Sequence, residues 1–474
     1  MLGEHRRFFL WGAIGALALR LFFVAYFPMM TDDSRVYMGL ATNWLRHAVY
    51  GQGQTGAIVP TDSRLPGYPA FLAGIFWLFG VGNVRAVLIA QALLDVVTCL
   101  VIGDLVRRTS PSRRAGRIGF ALTATCPFLA NYTAAVLTET LEIFFTAIAL
   151  DCLASGFESL DRGADRAAGG SRTSWPAWIG SGAAMAACIL LRPDGGILLP
   201  ATGLYFGLRL LRCEGWRRRI SLGAVGIIVA AVTLAPLVPW TVRNFRTLHH
   251  FQPLAPRYAT ETDELAPRGF NLWVKTWIAE YVSVEEIYWD VPGDQIDAAK
   301  LPARALDEPG RDETLSVIAD YNETQDLTPE LDPRFRELAE ERIRAHPIRY
   351  YGALPVLRIA DMWMRPRTEL LGADPRWWEF NDEVRGSALS MGFGLLNLVY
   401  VTLAIAAVIL SVIRKDSGLR YLGLLGGFVL LRSAFLMTLE NPEPRYTLEC
   451  YPVVMVWAAA FLAGRWERRR AVGL

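Results

Sequence analysis

Apolar runs long enough to cross a bilayer recur along this chain, and that recurrence leaves few folds open to it. The first covers residues 8–27, behind Arg6-Arg7. About 20 apolar residues in a helix span roughly 30 Å of hydrocarbon. This run is longer than the core of a secretory signal and is followed by no small-x-small cleavage site, so an uncleaved first span with a cytoplasmic N-terminus is expected. Further runs lie near 67–82, 84–106, 115–131, 136–156, 175–191, 196–211, 220–240, 388–413, 417–438 and 448–464. With 53% hydrophobic and only 20% charged residues, the pattern is that of an all-α polytopic membrane protein carrying a polar insertion. The insertion, near 241–386, reads as a small mixed or α-rich domain between N-terminal spans (1–240) and C-terminal spans (387–474). Short Lys/Arg clusters set between apolar runs argue against nucleic-acid binding. The cysteines fall in or beside the apolar runs and none lies in the insertion, so no disulfide framework or zinc spacing is expected.

Charge decides the orientation of the runs. Arg107-Arg108 with Arg113-Arg114 and Arg117, then Arg212 with Arg217-Arg218-Arg219, then Arg414-Lys415 with Arg420, and finally the tail from Arg465 to Arg470 form four basic clusters. The positive-inside rule puts all four on the cytoplasmic side with the N-terminus. That holds if one run between 28 and 106 does not cross. The weakest is 67–82, which is short, begins behind Pro66 and contains Gly67, Pro69, Gly74 and Gly80. It is expected to be interfacial or re-entrant, which leaves ten spans. On this topology Asp32-Asp33, Arg64, Glu139, Arg192-Pro193-Asp194, Arg243-Asn244 and the stretch from Glu440 to Tyr446 all reach the outer face. Arg20, Asp95, Asp104 and Asp151 remain inside spans, where partners within the bundle or near its inner end are expected.

These outer residues carry the candidate chemistry. A carboxylate at the membrane surface, here Asp33 or its neighbour Asp32, is suited to act as general base toward a hydroxyl. The competing reading is helix capping by Thr31, Asp32 or Asp33, which needs only one of the three. Arg64 precedes Leu65-Pro66-Gly67-Tyr68-Pro69 and either holds a lipid phosphate through paired hydrogen bonds or anchors the interface. Glu139 opens a span behind Thr138, with Glu142 one turn further on; acids entering a span usually face a cavity. The turn Pro193-Asp194-Gly195-Gly196 explains itself, whereas Arg192 before it does not, and it is a candidate phosphate ligand. Arg243-Asn244 and Arg445-Tyr446 sit at span ends in the same way. There is no Walker loop and no Asp-x-Asp signature, so a soluble nucleotide donor is not expected.

The run Asp33-Ser34-x-x-Tyr37, Leu40-Ala41, then Arg64-Leu65-Pro66-Gly67-Tyr68-Pro69-x-Phe71-Leu72 resembles the C-type (GT-C) membrane glycosyltransferases, in their protein-mannosyltransferase and aminoarabinose-transferase branch. Thr138-Glu139, Arg192-Pro193, the stretch Trp240-Thr241-Val242-Arg243-Asn244, His346-Pro347-x-x-Tyr350 and Arg445-Tyr446 fit it too. The resemblance implies a GT-C helix bundle with an inserted extracytoplasmic domain, and inverting transfer of a sugar from a polyprenyl-phosphate donor on the outer side. It places the first-loop acid at Asp33, the second-loop acid at Glu139, and a donor-phosphate contact at Arg64, where the aminoarabinose branch has Lys.

The expected chemistry is a single displacement. Asp33 (or Asp32) deprotonates the acceptor; Arg64, with Arg192, Arg243 or Arg445, stabilises the departing polyprenyl phosphate; Glu139 orients the acceptor or helps position the base. Tyr446 is expected with Arg445 at the donor phosphate or lipid, and Tyr37, Tyr68, Glu142 and Asn244 around the substrates. No cofactor is required by this arrangement, and a divalent cation, if one binds, is expected at Asp33 and Glu139. The expected partners are a lipid-linked sugar, a glycan, glycolipid or protein acceptor, and the bilayer of a bacterial inner membrane, with the active site facing the periplasm. The alternative of another class is a transporter or flippase of lipid-linked sugars, which would call for an internal repeat and mid-membrane ionisable groups.

Overall fold

A computed structural model of the chain describes residues 5–53, 57–112, 114–165, 174–258, 266–308, 310–380, 384–414 and 419–471. Arg113 and Lys415 of the basic clusters lie outside the described residues. The chain divides into two compact units, one of residues 1–257, 399–431 and 448–474, the other of residues 258–398 and 432–447.

In the first unit, α1 (Arg6–Tyr26) is followed by α2 (Asp32–His47), a two-stranded hairpin of β1 (Gly51–Gln52) and β2 (Val59–Pro60), α3 (Gly67–Phe79) and α4 (Val84–Thr109). Then come α5 (Ala115–Ala124), α6 (Pro127–Tyr132), α7 (Glu139–Asp165), α8 (Trp175–Leu191), α9 (Leu198–Arg212), α10 (Trp216–Leu234) and α11 (Leu237–Leu248). Helix α7 packs between α4 and α8, α4 also takes α1 and α5, and α8 takes α10. A buried ion pair joins α1 to α4: Arg20 donates to Asp95 at 2.8 Å and to the Thr123 carbonyl at 3.1 Å. Asp104 and Asp151 pair with Arg108 at 2.8 and 3.0 Å. These in-span charges have the partners expected of them.

Six helical segments among the described residues are long and apolar enough to cross a membrane: Arg6–Tyr26, Val84–Thr109, Glu139–Arg162, Trp216–Leu248, Val384–Ile413 and Pro444–Arg465. The chain is therefore a multi-pass membrane protein, with fewer full-length spans than the ten expected. Helices α8 and Leu422–Leu436 are apolar but shorter, at 17 and 15 residues. Helix α9 has 15 residues and ends in Arg209 and Arg212; at 1.5 Å per residue it rises about 22 Å. The run 115–131 breaks at Pro127, which has no N–H to continue the ladder, leaving α5 with 10 residues. Helix α3 has 13 residues and rises about 20 Å, short of the roughly 30 Å core.

The second unit is α-rich, built from α12 (Arg268–Lys275), the single turn α13 (Tyr281–Ser283), α14 (Arg311–Thr324), α15 (Leu331–Ala345) and α16 (Leu354–Met364). Phe270, Trp273, Trp277, Tyr321 and Phe335 form its aromatic core. Asp332 lies inside α15 and caps α12, accepting from Gly269 and Phe270 N–H at 2.9 Å each. At the other end of α12, buried Arg358 donates to the carbonyls of Lys275 and Ile278. Its burial pushes the guanidinium down to about 10. The last helices are α17 (Val384–Arg414), α18 (Leu422–Leu436) and α19 (Tyr451–Ala471).

Candidate active site

Helix α2 starts where the first span stops, and its cap settles which acid is spare. Thr31 is the N-cap: its hydroxyl accepts from Ser34 N–H at 3.3 Å, and Ser34 Oγ accepts from Thr31 N–H at 3.0 Å. This capping box uses neither aspartate. Asp32 is 95% exposed and pairs with Arg35 at 2.9 Å. Asp33 is two-thirds buried and accepts from Arg64 Nη2 at 2.8 Å. Of the two candidate bases, Asp33 alone is engaged with the other candidate residues.

Arg64 is held by the segment that leads into α3. The Tyr50 hydroxyl donates to the carbonyls of Arg64 and Leu65 at 2.9 and 3.2 Å. At the first residue of α3 a Cβ on Gly67 would stand 2.5 Å from the Leu190 carbonyl oxygen, so only glycine lets α3 start against the end of α8. That approach brings the Arg64 turn to the Arg192 end of α8. Tyr68 then donates to Gln91 at 2.7 Å, and Gln91 donates to the Ala135 carbonyl at 2.8 Å, tying α3 and α4 to the segment before α7.

Arg192 forms the second half of the cluster. It lies 3.7 Å from Glu139, 3.5 Å from Glu142 and 3.1 Å from Asp194. Glu139 and Glu142 are 3% and 1% exposed. Glu449, also buried, is near enough for its charge to oppose that of Glu142. Glu449 was not among the expected site residues, although its position offered a signal: it is an acid at the head of the last apolar run, as Glu139 is of an earlier one.

Tyr37 connects the two halves. Its ring meets Tyr68 edge-on at 5.1 Å, and the Arg64 guanidinium lies 6.0 Å from its centre. Burial, then the Asp33 charge, raise the Tyr37 hydroxyl well above its ordinary value, and Arg64, Arg192 and Glu139 all act on it. Arg64 is likewise raised: burial works against its charge, but Tyr37 and Asp33 outweigh that. The structure thus brings together Asp33, Tyr37, Arg64, Tyr68, Glu139, Glu142 and Arg192.

Other expected ligands have different surroundings. Arg243 donates to the carbonyls of Thr61 and Tyr50 and to Asn244, at 2.7, 2.5 and 3.0 Å, and stacks 5.4 and 5.3 Å from the Tyr50 and Trp240 rings. Asn244 is buried and donates to the Gln252 carbonyl at 2.7 Å. Arg243 clamps the hairpin segment onto α11, and Asn244 holds the turn that follows α11. Arg243 also borders a mainly apolar cavity of about 470 Å³, lined by Trp44, Tyr50, Pro66, Pro239 and Trp240. Arg445 and Tyr446 belong to the second unit, where both engage Glu443, Arg445 at 2.5 Å.

Among the described residues no group of three or more His, Cys, Asp or Glu side chains is placed to hold a metal ion. Asp33 and Glu139, expected as ligands for a divalent cation, each have an arginine as counter-charge. A cation at that pair competes with both guanidinium groups, so the fit is poor.

Residues 63–241 match the sequence family described as dolichyl-phosphate-mannose-protein mannosyltransferase. Arg64, Glu139 and Arg192 fall inside that stretch and Asp33 outside it. The whole chain also superposes on solved membrane enzymes. The Archaeoglobus fulgidus oligosaccharyltransferase AglB, in complex with an inhibitory peptide and a dolichol-phosphate, matches at 11% identity and a TM-score of 0.52, over 100% of this chain and 52% of that one. The A. fulgidus oligosaccharyltransferase in complex with Zn and sulfate matches at 12% and 0.52, over 97% of this chain and 49% of that one.

The fold is that of the GT-C membrane glycosyltransferases. The chain spans about half the length of the oligosaccharyltransferase structures it matches. ArnT from Cupriavidus metallidurans bound to undecaprenyl phosphate matches at 13% identity over 98% of this chain and 78% of that one; its TM-score of 0.39 carries no weight. No curated protein sequence matches.

Proposed function

We propose that this GT-C protein is an inverting glycosyltransferase that moves a sugar from a polyprenyl-phosphate donor to an acceptor hydroxyl at the extracytoplasmic face. The observation that carries the reading is the part-buried Asp33–Arg64 contact of 2.8 Å beside Tyr37, a residue on which Arg192 and Glu139 also act. A base, a phosphate-binding cation and a second cation with its acids occupy one small volume. The match of residues 63–241 to a dolichyl-phosphate-mannose family, and the dolichol-phosphate and peptide held by an enzyme of the same fold, support a lipid-phosphate donor. The peptide there leaves protein as one acceptor class beside glycans and glycolipids.

The chemistry runs as one displacement. Arg64 holds Asp33 until an anionic phosphate takes the guanidinium by paired hydrogen bonds. Asp33 then accepts the proton of the acceptor hydroxyl. That oxygen forms the bond to the anomeric carbon as the bond from that carbon to the phosphate oxygen breaks, and the electron pair leaves on the polyprenyl phosphate. Arg64 and Arg192 balance the charge gathering there. Glu139, fixed by Arg192, orients the acceptor. Arg243 acts indirectly, by holding the Tyr50 carbonyl and hence the segment that carries Arg64. The apolar cavity of about 470 Å³ beside Arg243 accommodates the first isoprene units. The test is purified protein with a panel of synthetic polyprenyl-phosphate sugars and hydroxyl acceptors, reading anomeric configuration by NMR. Inverted product from at least one donor supports the reading. Absence of turnover with every lipid-linked donor, alongside transport of such lipids in vesicles, would replace it with the transporter.

A further inference from the structure

The end of the first unit opposite the candidate active site holds a second cavity, of about 760 Å³, with polar and apolar walls. Helix α7 runs from Glu139 at the active site to Asp161 at this cavity. At 1.5 Å per residue those 22 steps separate the two by about 33 Å, one bilayer core. The cavity lies where α7 and α9 end and where α10 and α18 begin, so four helix ends shape it.

Its charged lining is Arg209, Arg212 and Arg218 against Asp161 and Glu214. Arg209 is already committed: it pairs with Asp161 and lies 5.5 Å from the centre of the Phe157 ring. Arg212 and Arg218 are exposed, and among the described residues neither makes a hydrogen bond or ion pair. Tyr205, Tyr421 and Ser221 add hydroxyls to the walls. The two helices that carry these arginines also expose apolar side chains. Leu204, Leu211, Trp216 and Ile220 are 53, 80, 74 and 52% exposed on α9 and α10. A charged pocket on two helices that also expose apolar side chains is the arrangement a lipid fills, with its phosphate in the pocket and its chains along the helices. A free phosphate uses only the first half.

We propose that this cavity binds the phosphate headgroup of an anionic membrane lipid, through Arg212 and Arg218, at the membrane face opposite the transferase site. The second and third basic clusters of the sequence, around Arg212 and Arg420, then flank a defined site as well as orienting the spans. The proposal does not depend on the transferase reading.

Adjacent arginines allow a sharp test. Arg218 lines the cavity and Arg217 does not, yet their removal changes the charge equally. The full chain, purified and delipidated, is titrated with phosphatidylglycerol or phosphatidylcholine and bound lipid is counted by native mass spectrometry. Wild type and Arg217→Gln are expected to retain one tight phosphatidylglycerol. Arg212→Gln/Arg218→Gln is expected to weaken it roughly ten- to thirty-fold, and the double lysine variant to keep most of it. Equal losses from Arg217→Gln and Arg218→Gln would mean diffuse attraction and overturn the site. Equal retention of phosphatidylcholine, or displacement of the lipid by millimolar inorganic phosphate, would overturn a lipid headgroup as its ligand.

Discussion

Removing Arg192 is the perturbation whose size follows most directly from the geometry. Its guanidinium is one-fifth exposed and lies 3.5 and 3.7 Å from two carboxyls that are 1% and 3% exposed. With an effective dielectric near 20, a pair at 3.5 Å interacts by about 5 kcal/mol. Rearrangement and water entry return part of that, so Arg192→Gln is expected to cost about 3–5 kcal/mol, the range for breaking one side of a buried pair. Glu142 is the partner to remove in compensation, because it is the closer of the two acids to Arg192, and the charge of buried Glu449 already opposes it. In Arg192→Gln/Glu142→Gln the loss should fall by about 1–3 kcal/mol relative to the arginine variant alone, as expected for coupled neighbours. Equilibrium unfolding in mixed micelles, run as a double-mutant cycle on the four proteins, measures both terms. A cost under about 1 kcal/mol for Arg192→Gln, or strict additivity in the cycle, would refute the idea that this arginine neutralises the buried acids.

Two further outcomes follow from the same contacts. Asp32→Asn should leave transfer within about two-fold of wild type, because an exposed pair such as Asp32–Arg35 is worth little; initial-rate assays check this, and a large loss would return Asp32 to the list of bases. In the second unit, Arg349 and Arg342 outweigh burial and hold the Asp307 carboxyl below its ordinary value. A carboxylate depressed by folding stabilises the fold above its unfolded value of about 4, and that stabilisation is lost as pH falls through the folded value. Tryptophan fluorescence in denaturant should therefore show wild type more stable than Asp307→Asn above that window, with the gap closing as pH falls through it; a gap that does not depend on pH would contradict this.

Much of the site was legible because its signals are local. Acids and arginines standing at the ends of apolar runs are costly there, so Asp33, Arg64, Glu139 and Arg192 stood out one by one, and charge counting put them at one end of the bundle. Their grouping in space then follows from short connections and from Gly67, which allows α3 to meet α8. What stayed hidden depends on distant partners. Arg243 looks like a phosphate ligand until the Tyr50 and Thr61 carbonyls, over 180 residues earlier, are found to occupy it. Whether Thr31 or an aspartate caps α2 turns on Ser34 closing the box, which composition alone does not decide. The run 115–131 reads as one span by hydropathy, yet Pro127 divides it. Glu449 was visible in the pattern but lies among apolar residues that drew attention only as a span.

The central claim is that Asp33, released from Arg64 by the donor phosphate, is the base. The most direct measurement is single-turnover transfer from a polyprenyl-phosphate sugar by wild type and Asp33→Asn, with donor binding measured on both proteins. The account predicts that Asp33→Asn still binds the lipid donor and loses transfer by about 10²–10⁴-fold, the usual contribution of a general base. Transfer at the wild-type rate in Asp33→Asn would contradict it.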